Sequence, residues 1–183
     1  ITRYQYDPNG NLKLFVDPNG NVTSFAYDLD DRLTRKVFAD GSSISLTYDN
    51  LGLVSSLTNG RGITASFNHD MLSYDLVSVS YSDGTPGATY VYDAFGRLTQ
   101  TQEGIGTTDY LYDPNSRLLS KDGPWANDAV GYAYDALGRR VGLAPQVGQP
   151  VTYSYDAHDR LTAVQVGSDT YAYSYSGASP LVQ

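Results

Sequence analysis

Apolar and polar residues alternate over short stretches along the chain. In residues 43–48, isoleucine, leucine and tyrosine interleave with serine and threonine, and residues 63–68 and 77–82 alternate in the same way. A period of two places the apolar side chains on one face of a β-strand and the polar side chains on the other. The pattern therefore predicts half-buried β-strands.

These stretches belong to a repeat whose clearest element is a pair of aromatic residues, one residue apart, followed by an aspartate. We call these residues the marker aspartates, and successive ones are separated by 21, 21, 21, 23, 20, 22 and 21 residues. They are Asp7, Asp28, Asp49, Asp70, Asp93, Asp113, Asp135 and Asp156. A ninth, eroded copy lies at residues 171–175. We therefore predict a single array of about eight or nine repeats over residues 1–183.

Most repeats carry two turn signals. The first follows the marker aspartate, as in Asp7-Pro8-Asn9-Gly10, and the second falls in the middle of the period, as in Asp17-Pro18-Asn19-Gly20. Glycine supplies the positive φ angle of a tight turn, and an aspartate side chain accepts hydrogen bonds from backbone N–H groups two residues on. Each repeat is therefore predicted to contain two antiparallel strands, which makes the chain a series of hairpins.

Two strands in each repeat give roughly 17 strands in sequence order. A twisted open sheet rarely exceeds about 10 strands without curling or splitting. Nothing distinguishes alternate repeats, as four-stranded propeller blades of about 40–45 residues would require. We therefore predict an all-β fold in which repeats of about 21 residues form a long antiparallel β-strip, rolled into a spiral or partial hollow shell.

Arginine recurs four residues after the marker aspartate, and Asn11, Leu53 and Tyr74 interrupt the pattern. The arginines are Arg32, Arg97, Arg117, Arg139 and Arg160. In stacked copies, arginine and aspartate form neighbouring columns, so we expect charge-assisted pairs across adjacent turns. We interpret the column as a structural ladder, and a row of anion-binding sites is the alternative.

The tyrosines form a second column. We expect Tyr92, Tyr112, Tyr134 and Tyr155 to face one common interior, because they occupy the same slot of the repeat. Cross-strand aromatic packing and a tyrosine-lined hollow are both open interpretations. The structural markers of the repeat are Tyr6, Asp7, Tyr27, Asp28, Tyr48, Asp49, Tyr92, Asp93, Arg97, Tyr112, Asp113, Arg117, Tyr134, Asp135, Arg139, Tyr155, Asp156 and Arg160.

Composition and charge exclude several classes of function. The chain has 20 acidic residues, of which Glu103 alone is a glutamate, against 12 basic residues, a net charge of −8. Scattered bases disfavour nucleic-acid binding, which needs clustered lysine and arginine. No apolar run approaches the ~18 residues of a membrane-spanning helix, so we expect no membrane insertion. The absence of cysteine excludes disulfides and thiolate chemistry.

Catalysis and metal binding have little support in the sequence. The aspartate-rich turns resemble the start of a calcium loop, but Leu12 and Val22 stand where an EF-hand needs glycine. We interpret His69 as an eroded tyrosine and His158 as an exposed turn residue. Trp125 is expected to cover an edge of the core, and a contact residue is the alternative. We therefore predict no metal, no cofactor and no enzymatic activity, with a hydrolase among the aspartates as the weakest alternative.

Residues 90–98 read Tyr-Val-Tyr-Asp-Ala-Phe-Gly-Arg-Leu. This element resembles the Y-x-Y-D-x-x-G-R-L hallmark of the RHS/YD-repeat family. Residues 132–139 match it as far as the arginine, and residues 110–118 and 153–161 match except where Ser116 and Asp159 replace glycine. The resemblance covers essentially the whole chain. It implies a β-strip that spirals into a hollow shell, which encloses a toxic domain in bacterial polymorphic toxins and insecticidal toxin complexes and serves adhesion in teneurins.

The chain departs from the family in one respect. Shell-forming bacterial members carry a core segment with D-P-x-G-L and N-x-Y-x-Y elements and a self-cleaving aspartyl site. Residues 176–181 do not match that segment, so the resemblance assigns no cleavage residue to this chain. We therefore expect a fragment without the core segment or toxin domain, or a small member of the family.

These observations predict a structural shell or scaffold segment of a secreted RHS/YD-repeat protein. Its partners would be neighbouring repeats or an enclosed polypeptide such as a toxin domain, and its bare edge strands would invite self-association. The alternative is an extracellular binding or adhesion module that recognises glycans or a cell-surface partner. The resemblance implies a secreted or cell-surface location, in a bacterium.

Overall fold

A computed structural model describes residues 1–175 of the chain. These residues form seventeen β-strands and no helix. The strands are β1 (Arg3–Tyr6), β2 (Leu12–Val16), β3 (Val22–Tyr27), β4 (Leu33–Val37), β5 (Ser43–Tyr48), β6 (Val54–Thr58), β7 (Thr64–His69), β8 (Leu76–Tyr81), β9 (Ala88–Tyr92), β10 (Leu98–Glu103), β11 (Gly106–Tyr112), β12 (Leu118–Asp122), β13 (Val130–Tyr134), β14 (Arg140–Pro145), β15 (Val151–Tyr155), β16 (Leu161–Val166) and β17 (Asp169–Ala172). The predicted all-β strip with two antiparallel strands in each repeat is confirmed.

The chain divides into two compact units, Ile1–Tyr90 and Val91–Gln183. The first contains β1 to β8 and the start of β9, and the second contains the end of β9 and β10 to β17. The repeat continues through both units. The prediction of a single array over residues 1–183 stays a prediction, because residues 176–183, including the segment without family core motifs, lie outside the described residues.

The strand register gives each unit two faces of different character. On one face of the first unit, Leu46 lies opposite Leu57, and Leu57 lies opposite Ala65. On the other face, Thr58 lies between Ser45 and Thr64. We call the face that carries the aromatic pair of each repeat the aromatic face, and the opposite one the polar face.

The second unit separates its side chains in the same way. Its aromatic face places Leu143 between Tyr132 and Val151, whereas its polar face places Gly142 between Ala133 and Thr152. Tyr112, Tyr134 and Tyr155 share the aromatic face and are half-buried. Tyr92 is also half-buried, at the end of β9.

A β-bulge interrupts the register of seven hairpins, beside the second aromatic position of the repeat. In the second unit the irregularity falls between Leu111 and Tyr112 and between Ala133 and Tyr134. The first unit has the same feature between Ala26 and Tyr27. A bulge bends its strand and increases the local twist. The recurring bulges therefore bend the strands at the same position of the repeat.

Neither unit covers its aromatic face. Val79, at 7% exposure, is the one buried apolar residue in the described part of the chain, and no side chain there is below 2%. A sheet with an apolar face normally buries it against a second layer. The aromatic face is therefore a surface whose cover is not found among the described residues of its own unit.

Candidate functional site

Seven of the eight marker aspartates close a five-residue turn through the backbone and the side chain, and Asp70 closes a turn that is one residue longer. In the first repeat, Asp7 N donates to Asn11 O at 2.9 Å, and Gly10 N donates to Asp7 O at 3.1 Å. Asp7 Oδ1 also accepts hydrogen bonds from the backbone N–H groups of Asn9 and Asn11, at 3.0 and 2.8 Å. The short aspartate side chain fits this geometry. This requirement explains why the acidic residues of the repeat are aspartates.

The fourth residue of the turn adopts a positive φ angle. Glycine takes this position in four of the eight repeats, for example Gly138 with a φ of 84°. Three repeats place Asp31, Ser116 and Asp159 there, with φ values of 58°, 63° and 63°.

These three side chains bond to the preceding repeat. Arg97 Nη1 donates to Ser116 Oγ at 3.2 Å, and Asn11 Nδ2 donates to Asp31 Oδ1 at 2.6 Å. Arg139 Nη1 lies 2.6 Å from Asp159 Oδ1. The contact between repeats offsets part of the cost of the left-handed backbone.

Each repeated arginine pairs with the marker aspartate of its own turn. Arg97 Nε donates to Asp93 Oδ2 at 2.7 Å, and Arg97 Nη2 lies 2.6 Å from the same oxygen. We expected pairs across adjacent turns; the Arg139–Asp159 contact is such a pair, but the recurring partner is the aspartate of the same turn. The reason is that the first and fifth residues of the closed turn lie side by side, held by the N–H to Asp Oδ1 bond.

The same arginine reaches the next repeat through its remaining nitrogen. Arg97 Nη1 donates to the carbonyl oxygen of Asp113 at 3.0 Å, and Arg117 Nη1 donates to that of Asp135 at 3.2 Å. The guanidinium groups therefore join consecutive turns through a backbone acceptor. Because these donors are already used, the geometry disfavours the alternative of a row of anion sites.

The guanidinium also covers the second aromatic residue of the next repeat. Arg117 Cζ lies 5.0 Å from the centroid of the Tyr134 ring. The corresponding distances are 4.7 Å for Arg32 and Tyr48, 4.9 Å for Arg97 and Tyr112, 4.7 Å for Arg139 and Tyr155, and 4.7 Å for Arg160 and Tyr175. Such cation–π contacts contribute about 0.5–1 kcal/mol at exposed sites.

The tyrosine hydroxyl completes this set of contacts by donating a hydrogen bond to the preceding repeat. Tyr134 Oη donates to Leu118 O at 2.9 Å, and Leu118 directly follows Arg117. The same bond joins Tyr27 to Leu12, Tyr48 to Leu33, Tyr155 to Arg140 and Tyr175 to Leu161. We call one aspartate–arginine pair with the tyrosine beneath it a rung, and the set of rungs the ladder.

One rung has a different chemistry. Leu53 stands where the arginine belongs, and His69 stands where the following tyrosine belongs. His69 Nδ1 lies 3.3 Å from Asp49 Oδ2, with side-chain exposures of 13% and 27%. The distance suits an ion pair, but Nδ1 makes no hydrogen bond of good geometry within the described residues. The interpretation of His69 as an eroded tyrosine missed this contact with Asp49.

The turns hold their carboxylates in the ionised form. Backbone donation from Arg160 lowers the pKa of Asp156 from 3.8 to about 2. The Arg97 guanidinium lowers the pKa of Asp93, and the side chain of Asn21 lowers that of Asp17. The marker aspartates are therefore negatively charged at neutral pH, as the ladder requires.

The described residues contain no group of three or more histidine, cysteine or acidic side chains placed to hold a metal. In the first repeats, Asp31 Oδ1 already accepts from the amides of Asn9 and Asn11. Amide donors at a carboxylate occupy the position that a cation would need. Among residues 1–175, no helix is long and apolar enough to cross a membrane.

Trp125 and His158 are both exposed. Trp125 retains 63% of its accessible surface, so the expectation that it covers a core edge is wrong. Its loop is ordered instead by Asp128, which accepts from the backbone N–H groups of Gly123 and Trp125 at 2.9 and 3.1 Å. His158 lies exposed in its turn, as the sequence predicted.

Comparisons with known proteins agree with the repeat. The RHS repeat profile matches residues 6–41 and 27–64. The chain is 31% identical to the tRNA3(Ser)-specific nuclease WapA of Bacillus spizizenii over 95% of its length. It is 23% identical to the double-stranded DNA deaminase toxin A of Burkholderia cenocepacia over 98%, and 28% identical to human Teneurin-1 over 82%.

Solved structures show the same fold. The chain is similar over its whole length to the crystal structure of TcdB2-TccC3 without its hypervariable C-terminal region, with a TM-score of 0.64 and 18% identity. It is also similar over 94% to the Photorhabdus luminescens Tc holotoxin pore, with a TM-score of 0.60 and 19% identity. The chain belongs to the RHS/YD-repeat family.

The chain spans a small part of each relative. It covers 8% of WapA, 15% of the deaminase toxin, 5% of Teneurin-1 and 10% of the TcdB2-TccC3 chain. The comparisons show that this chain is a repeat strip of the kind found in toxin proteins. The activities in the relatives' names describe those much longer proteins.

Proposed function

We propose that the chain is a segment of a shell that encloses or supports an associated polypeptide, such as a toxin domain. One observation carries the proposal: the aromatic face is apolar and only partly buried, and nothing among the described residues of either unit covers it. A large uncovered apolar face marks a surface that meets a partner. The toxin names among the relatives support a toxin as the enclosed polypeptide.

We expect the contacts of the ladder to make this face rigid, as a shell around a polypeptide requires. Each rung fixes the aromatic side of one repeat to the backbone of the next, through the Tyr134 hydroxyl and the Arg117 guanidinium for example. Because these contacts hold the rung tyrosines in place, the aromatic face presents its rings in defined positions. In this proposal the segment is not an enzyme, and any catalytic activity belongs to the associated polypeptide.

We place the protein outside the cell or on the cell surface of a bacterium, on the strength of its resemblance to bacterial toxin proteins. Glycan binding has weaker support, because sugar rings stack on open aromatic faces and each rung covers one face of its tyrosine with a guanidinium. Self-association through the edge strands stays a prediction.

Binding of an unfolded protein tests the proposal. Reduced, carboxymethylated α-lactalbumin labelled with a fluorophore serves as the probe, and anisotropy reports its binding to the chain. Substituting Tyr132→Ser together with Val151→Ser on the aromatic face should weaken binding about tenfold, the effect of losing an apolar contact patch. The matched control is Ala133→Ser with Thr152→Ser on the polar face of the same strands.

The control variant should bind like the original chain. Absence of any binding, or equal losses from the two pairs of substitutions, would overturn the proposal. Far-ultraviolet circular dichroism of each variant separates loss of binding from loss of folding.

A further inference from the structure

The second unit presents two different turn edges. Marker turns lie along one edge, and the turns that follow β10, β12, β14 and β16 lie along the other, which we call the mid-period edge. Three of these four turns carry an exposed large apolar residue, Ile105 at 62%, Trp125 at 63% and Val147 at 66%. Consecutive mid-period turns are two strands apart, about 10 Å, so the three side chains form a row.

Contacts between neighbouring turns hold this row in place. A Cβ atom on Gly106 would lie 2.7 Å from Pro124 Cβ, so the first turn packs directly against the Trp125 loop. Gln146 N donates to Ala129 O at 2.7 Å and links that loop to the next turn. Within the loop, the Asp128 carboxylate accepts hydrogen bonds from the backbone N–H groups of Gly123 and Trp125. The row is therefore preorganised, which lowers the entropic cost of binding.

Acidic side chains without ion pairs surround the apolar row. Glu103, Asp109, Asp122 and Asp169 lie in the strand segments beside the mid-period edge. Among the described residues, every ion pair of the second unit involves a marker turn. Lys121 is the one basic residue in the strand segments next to the mid-period edge. The edge therefore combines apolar tips with uncompensated negative charge.

The first unit shows that the repeat does not require these features. Its mid-period turns have polar tips, Asn19, Asp40, Arg61 and Asp83. None of the exposed large apolar residues of that unit lies at a mid-period turn tip. Ile105, Trp125 and Val147 are thus a property of the second unit rather than of the repeat.

We propose that the mid-period edge of the second unit is a docking surface for a basic polypeptide segment in which lysine or arginine residues flank apolar side chains. The tryptophan and its apolar neighbours supply the central contact, since exposed tryptophan is prominent among residues that dominate binding energy. The unpaired carboxylates supply charge complementarity and partner selection. The same negative charge disfavours an anionic membrane as the occupant.

This surface is separate from the aromatic face, so the proposal stands independently of the enclosing function. Trp125 is the single tryptophan of the chain, and its fluorescence therefore reports on the site alone. The probes are three synthetic peptides, one alternating leucine and lysine, one alternating leucine and glutamate, and one alternating serine and lysine. We expect a saturable blue shift of the Trp125 emission with the leucine–lysine peptide alone.

Two sets of variants keep the tryptophan as reporter. Ile105→Ser with Val147→Ser should weaken binding about tenfold, and Asp122→Asn with Asp169→Asn should weaken it and reduce its dependence on salt. Phe95→Ser with Leu137→Ser, at exposed tips of the marker turns, is the matched control and should leave the affinity unchanged.

Several outcomes would overturn the proposal. These are an unchanged Trp125 emission with the leucine–lysine peptide, equal binding of the leucine–glutamate peptide, or an equal loss in the marker-turn control. A blue shift produced by a neutral glycan but by none of the peptides would assign the surface to carbohydrate instead. Binding of unfolded α-lactalbumin to the Ile105→Ser, Val147→Ser variant should stay intact, which separates this test from that of the aromatic face.

Discussion

The Arg117 guanidinium lies over the ring of Tyr134, with 5.0 Å between Cζ and the ring centroid, and the Tyr134 hydroxyl donates to the carbonyl oxygen of Leu118, the next residue after Arg117. The two contacts connect one repeat to the next in both directions. The tyrosine, aspartate, glycine and arginine of the repeat therefore form one structural unit. This unit explains why these residue types recur together along the chain.

The hydroxyl bond can be tested without disturbing the ring. Tyr134→Phe keeps the cation–π contact but removes the donor to Leu118 O, and should lower the free energy of unfolding by about 0.5–1.5 kcal/mol. Urea unfolding followed by circular dichroism gives the value. Tyr110→Phe is the control, because Tyr110 occupies the first aromatic slot, which lies outside the rung. Equal losses for the two variants would contradict the role of the bond.

Removing a rung arginine should cost more stability than removing an unpaired one. Arg97→Ala deletes the bonds to Asp93 and Asp113 and the contact with the Tyr112 ring. We expect the melting midpoint to fall by roughly 2–4 °C. Arg35→Ala on β4 is the control, since Arg35 belongs to no rung and should change the midpoint little. Identical midpoints for the two variants would refute the ladder.

Substituting the glycine at the fourth turn position should destabilise the protein, because the backbone there has a positive φ angle. Gly138 has a φ of 84°, where a side chain costs about 1–2 kcal/mol. Gly138→Ala is therefore expected to destabilise the protein by about that amount in urea unfolding. Gly131→Ala provides the comparison, because an added Cβ there meets its neighbours at 3.7 Å or more, an ordinary contact. The prediction fails if Gly131→Ala proves the more damaging change.

The rung at Asp49 should become more stable when arginine and tyrosine are restored to it. Leu53→Arg with His69→Tyr recreates the arginine–tyrosine pair beside Asp49, so the double variant should melt above the original chain. The gain should exceed the sum of the two single substitutions, because each new residue needs the other for its contact. Additive effects in this cycle would show that the two positions are not coupled.

Acid should weaken the marker turns over a defined range. The pKa of Asp156 is lowered from 3.8 to about 2 in the folded chain, so its contribution to stability is complete at neutral pH. That contribution is lost as the pH falls through about 4 towards 2. Unfolding measured between these values should show a steep loss of stability. Asp156→Asn should be less stable at neutral pH and lose less on acidification; a parallel profile would contradict the assignment.

The sequence predicted the strand number and the hairpin order and identified the residues that repeat, because spacing and alternation report directly on strands and turns. It did not predict the partners of those residues. Arg97 and Asp93 share a turn, while Asp113 belongs to the next one, and a column of identical spacing fits either pairing.

The bonds from Arg97 to Ser116 and from His69 to Asp49 also escaped prediction. In each case a departure from the consensus in one repeat is matched by a contact with its neighbour. The signal was present as paired departures, such as Leu53 with His69. These paired departures could be interpreted only once it was known which positions of consecutive repeats are in contact. The exposure of Trp125 depended on the Asp128 bonds of an irregular loop, which the repeat does not define.

Site-specific photo-crosslinking shows whether a polypeptide occupies the aromatic face. A benzophenone amino acid replaces Tyr132 on the aromatic face or Thr152 on the polar face, and each variant is irradiated with unfolded α-lactalbumin. Enclosure by the aromatic face predicts crosslinks from position 132 and few from position 152. Crosslinks from position 152 alone, or equal yields from both positions, would contradict it.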